Sequence, residues 1–155
     1  MRNTIIILAC LLFSANLNAQ QPKLITDVES IFTAAETHRI DSLLQDYHHR
    51  TGNFIVLCTD TLDVSTDAYK DSLVEIYTPA SPKKPYALFL LLSRKNSLVY
   101  LASNELTKDV PNRLDEFLKI ISYGVPALKE KKIEEAVTII STKAMEFLDA
   151  LPVRN

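Results

Sequence analysis

The chain has 155 residues, enough to bury a core without cross-links, and it reads as one domain. A formal net charge of −2 argues against non-specific nucleic-acid binding, which needs a basic surface. Two glycines and no tryptophan leave no room for a glycine-rich phosphate loop.

The N-terminus reads as an export signal. Arg2 supplies the positive charge, Thr4–Phe13 the apolar run, and Ala19 the small residue at the cleavage point. Cleavage after Ala19 leaves 20–155 as the domain, periplasmic or secreted. A lipoprotein reading takes Ile7-Leu8-Ala9-Cys10 as a lipobox, but it shortens the apolar region, and plain secretion is preferred. No run is long enough for a transmembrane segment in the mature chain. Once the signal is removed, Cys58 is the only cysteine, and its apolar strand context marks it as a buried hydrophobe.

Lys23–Ile31 is a lead-in carrying two acids, Asp27 and Glu29. Thr33 and Glu36 have capping-box spacing, and Ile40, Leu43, Leu44 and Tyr47 repeat at helical intervals. The first helix therefore runs from about Ala34 to His49, and Gly52 ends it. Phe54–Cys58 is a short buried strand closed by Thr59-Asp60. Asp63 or Ser65 caps a second helix with Tyr69, Leu73 and Ile76 on one face. Pro79, Pro82 and Pro85 end it and stiffen the link onward.

Ala87–Leu92 is apolar without alternation, as a strand covered on both faces should be. Ser93–Asn96 turns the chain, and Ser97–Ser103 returns as an antiparallel partner. Strand–helix–strand order makes Phe54–Cys58 parallel to Ala87–Leu92. Asp109 caps a third helix with Pro111 in its first turn and Leu114, Phe117, Leu118 and Ile121 facing the core. Gly124 and Pro126 then break the chain. A last helix places Ile133, Val137, Ile140, Ala144 and Phe147 at helical spacing. The fold class is α/β: a central mixed sheet, made of a βαβ unit and an antiparallel hairpin, with helices on both faces.

Residues that carry chemistry are sparse. His38 and His48 are ten apart, and adjacent His48 and His49 point to different faces, so no pair has metal-ligand spacing. No nucleophile elbow marks a serine. The strand directions place Asp60 near the Ser93–Asn96 turn. They place Glu105 and Asp109 at the other edge, beside Lys83-Lys84-Pro85. There two acids face two lysines, which favours a helix cap with loose surface pairing over a metal site.

The order of elements resembles the TPM-domain family. The strings carrying the resemblance are ITDVESIFTAAETHRIDSLLQDYHHRTGNFIVLCTDTL and the hairpin followed by LASNELTKDVPNR, and it extends over about Ile25 to Phe147. Members are exported or membrane-attached α/β domains, associated with acid phosphatase activity or calcium binding in some cases and with accessory roles in others. The family pattern has Asp-Asn-Gly leading into the central strand, Gly-x-Gly after the next strand, and an Asp before the third helix. Asp109 matches that last acid, and Asp27 matches a frequent acid near the domain start. Lys83-Lys84-Pro85 stands where the first motif would be, and Ala102-Ser103-Asn104 where the glycines would be.

Two functions follow. The preferred one is a non-catalytic accessory or interaction module at the cell envelope, with a degraded ion and phosphate site and an unidentified protein partner. The alternative is a divalent-metal-dependent acid phosphatase of the TPM type. The resemblance then implies Asp109, Glu105 and Asp27 as catalytic candidates, with Asp109 and Glu105 around a calcium ion.

Overall fold

The computed structural model describes residues 22–61, 67–77, 85–104, 107 and 110–152. Eight elements follow in order: β1 (Ile25–Asp27), α1 (Ala34–Thr51), β2 (Phe54–Thr59), α2 (Asp67–Tyr77), β3 (Ala87–Ser93), β4 (Leu98–Ser103), α3 (Arg113–Lys129) and α4 (Ile133–Asp149). The four strands form one sheet in the order β1-β2-β3-β4. β1, β2 and β3 run parallel, with Ile25 opposite Leu57 and Leu57 opposite Leu90. β4 returns antiparallel, with Leu90 opposite Leu101. This is the mixed α/β sheet expected from the sequence.

β3 is buried along its whole length, which is why its apolar run shows no alternation. α2 covers the face carrying Phe54 and Phe89, where the Tyr77 ring lies 6.2 Å from each of theirs. α1, α3 and α4 form the other layer, with α4 packed between α1 and α3. Thr33 and Glu36 make the expected capping box, and Gly52 closes α1 at φ 75°. Cys58 is buried, and burial, with Asp60 adding, pushes its thiol up to about 11.

Four expectations need correction. The lead-in contains a fourth strand, β1, which pairs with β2 through Leu57 N–H to Leu24 O at 2.8 Å and Val28 N–H to Thr59 O at 3.1 Å. On α2, Leu73 and Tyr77 are buried but Ile76 is 66% exposed. On α3 the buried residues are Phe117, Ile120, Gly124 and Ala127, whereas Leu114 and Leu118 are each 67% exposed. Pro111 precedes the helix instead of sitting in its first turn, and Asn112 takes the cap position at φ 53°. The proposed caps Asp63, Ser65 and Asp109 lie outside the described residues, as do Pro79 and Pro82.

Nor do Gly124 and Pro126 break the chain: α3 runs through both. Gly124 is needed where α3 crosses α4, since a Cβ there would lie 2.6 Å from Ile140 Cγ1 and 3.0 Å from the Ala136 carbonyl oxygen. Pro126 falls in the last turn, where losing one amide costs the helix little of its remaining length.

Candidate functional site

Open α/β sheets offer ligands the carboxyl ends of their parallel strands. Here those ends carry Asp27 on β1, Thr59 and Asp60 at β2, and Ser93 and Arg94 at β3, with Glu29 just beyond β1. As the strand directions required, Asp60 lies beside the end of β3, its amide donating to the Leu92 carbonyl at 3.1 Å.

Asp27 is saturated by internal donors. Its Oδ1 accepts from the Ile31 amide at 3.0 Å and from the Thr59 hydroxyl at 2.5 Å, and its Oδ2 from the Phe32 amide at 2.9 Å. Burial alone would raise this carboxyl, but the Thr59 hydroxyl and the Phe32 and Ile31 amides outweigh it, and Arg94 adds to them. Asp27 therefore sits below the ordinary 3.8 and stays ionised. Ser30, at φ 51°, lets the chain wrap back over the carboxylate before α1 begins.

Glu29 makes the second tie. Its amide donates to Thr59 Oγ1 at 3.2 Å, while Oε1 accepts from the Ser93 hydroxyl at 3.2 Å and Oε2 from the Arg94 amide at 2.8 Å. Asp27 thus joins β1 to β2, and Glu29 reaches over β2 to β3. These are fold-holding contacts with the acceptor oxygens turned inward. Among the described residues, no group of three His, Cys, Asp or Glu side chains is placed to hold a metal ion.

Glu105 and Asp109, the other acids singled out, lie outside the described residues, as do Lys83 and Lys84. What flanks them is visible. The Asn104 amide donates to the Ala87 carbonyl at 3.1 Å and its Nδ2 to the Pro85 carbonyl at 2.8 Å, so the end of β4 sits beside the start of β3 as expected. The Thr107 hydroxyl donates to Ser103 Oγ at 2.5 Å. Asn104 is 2% exposed, and its Oδ1 has no hydrogen-bond partner.

Sequence reasoning brought out Asp27 but not the partners that explain it. Thr59, Ser93 and Glu29 acquire roles only once three parallel strands end side by side. Asn104 was noted only as a replacement for glycine. The histidines are spread out: His48 Nδ1 lies 3.1 Å from the Asn53 carbonyl and its ring stacks on Phe54, whereas His38 is exposed on α1.

No protein-family model matches the chain, and no curated protein matches it either. Among solved structures it is similar to the solution NMR structure of the N-terminal domain of a protein from P. gingivalis. The two share 15% identity with a TM-score of 0.60, over 88% of this chain and 91% of that one. At that identity the likeness establishes a shared fold.

Proposed function

We propose that this chain is an exported, TPM-like accessory or interaction module acting at the cell envelope, with residues 1–19 as its signal peptide. The observation that carries the reading is the state of Asp27. This acid, which the TPM resemblance offers to a metal or phosphate site, is spent on two backbone amides and a threonine hydroxyl. A metal ligand needs its lone pairs directed at the ion.

One observation favours a second reading, the divalent-metal-dependent acid phosphatase. Asn104 Oδ1 is a buried oxygen without a donor, next in sequence to Glu105 and five residues before Asp109. A hard cation there would satisfy it.

Hydrolysis of p-nitrophenyl phosphate by the purified chain, with calcium or magnesium added, separates the two. The module reading expects the same background rate as an Asp109→Ala variant. Turnover that depends on the metal and on Asp109 would establish the phosphatase instead.

A further inference from the structure

β1 lies at one edge of the sheet and pairs on one side only. Its bonds to β2 use the Leu24 carbonyl and the Val28 amide. In a parallel strand, alternate residues direct both backbone groups to the same side. Ile25 and Asp27 therefore turn their amides and carbonyls away from β2, and no other described strand meets them.

A cleft of about 740 Å³ runs along this edge, between it and α1. Its helical wall carries Thr37, His38, Asp41 and Gln45, spaced to share one face of α1. Gln45 is 9% exposed. Its Nε2 donates to the Pro22 carbonyl at 2.7 Å, and its Oε1 is buried with no partner. An open row of backbone donors and acceptors thus lies opposite a wall that holds an unanswered buried acceptor.

We propose that this cleft binds an extended peptide segment of a partner protein, which adds to β1 as a fifth strand. The Ile25 and Asp27 backbone groups pair with its main chain, and a donor side chain of the segment answers Asp41 and Gln45 Oε1. Peptide capture at a sheet edge takes its affinity from main-chain bonds and its specificity from alternate side chains, and this cleft supplies both. A second copy of the chain fits less well. The three-residue edge, repeated by a two-fold axis, buries far less than the roughly 1,200–2,000 Å² of a stable interface. The proposal rests on the interaction-module reading and names where that module takes its partner.

The test uses the purified chain and a phage-displayed library of random peptides about twelve residues long. An enriched peptide should shift the backbone amide signals of Ile25 and Asp27 and the side-chain amide of Gln45. N-methylation of the peptide at alternate positions should weaken binding by about tenfold or more, with the intervening positions tolerant, because only alternate amides face β1. Gln45→Met should weaken binding by a similar factor. Since that variant alters a buried site, the N-methyl series on the unaltered protein carries the decision if it folds poorly.

The proposal is overturned if no peptide is enriched, if N-methylation is tolerated throughout, or if the shifts fall along β4. It is also overturned if the Ile25 and Asp27 amides are already protected in the free chain, or shift with protein concentration alone. Any of these outcomes without a metal-dependent activity removes the cleft and leaves the module reading standing. Metal-dependent turnover removes the module reading itself.

Discussion

The Thr59 hydroxyl donates to Asp27 Oδ1 at 2.5 Å, tying together the ends of two neighbouring parallel strands. The same carboxylate receives the Ile31 and Phe32 amides, so it fixes the path from β1 into α1. Hydrogen bonds to a charged acceptor contribute about 1.5–3 kcal/mol, and removing the acceptor leaves partly buried donors unanswered. Asp27→Ala should therefore lose about 2–3 kcal/mol in urea denaturation. A loss within about 0.5 kcal/mol, as at an ordinary surface position, would remove its structural role.

The pH dependence follows from the direction of the Asp27 shift. Its carboxyl is lower in the folded chain than its ordinary 3.8, because the Thr59, Phe32 and Ile31 donors outweigh the effect of burial. A depressed folded value gives stability that is complete above the unfolded value and lost as pH falls through the folded one. The stability gap between the wild type and Asp27→Asn should stay constant near neutrality and narrow below about pH 4. Urea melts of both proteins across that range measure it. A gap that widens in acid would contradict the assignment.

Gly124 should resist replacement by a better helix former. Alanine gains about 1 kcal/mol in helix propensity, but its Cβ would meet Ile140 Cγ1 at 2.6 Å and the Ala136 carbonyl at 3.0 Å. Overpacking of this kind costs about 1–3 kcal/mol. Gly124→Ala should thus be net destabilising by thermal melting, and Ile140→Val should recover part of the loss. A rise in melting temperature in the single variant would show that the two helices separate easily.

Two leucines report on the architecture in opposite directions. Leu90 is fully buried on β3, so Leu90→Ala should cost about 2–5 kcal/mol. Leu118, 67% exposed on α3, should tolerate Leu118→Gln within about 0.5 kcal/mol. Denaturant melts that reverse this order would place α3 in the phase first read from the sequence.

That phase error shows where local reasoning stopped. Leu114, Phe117, Leu118 and Ile121 have flawless helical spacing, yet Gly124 sets the face, because the close crossing with α4 turns it inward. Gly124 and Pro126 looked like punctuation because both usually are; only the neighbouring helix reveals one as a packing residue. The β3–β4 hairpin was legible because an unbroken apolar run and a polar turn are both local. β1 was not, since three residues, Ile25-Thr26-Asp27, cannot display a period. Asp27 stood out as an acid, but its role depends on Thr59, thirty-two residues away, which became its neighbour only through the parallel pairing.

The central claim is that the strand-end acids serve the fold and that the chain is an interaction module. The most direct test is the melting temperature of the chain beginning at Gln20, followed as calcium is raised to about 10 mM at constant ionic strength. A site with Kd near 0.1 mM would add about 2.7 kcal/mol at that concentration, a shift of several degrees for a domain of this size. We expect the melting temperature to stay unchanged. A calcium-dependent rise that disappears in both Asp109→Ala and Asn104→Ala would contradict the account and establish the cation site.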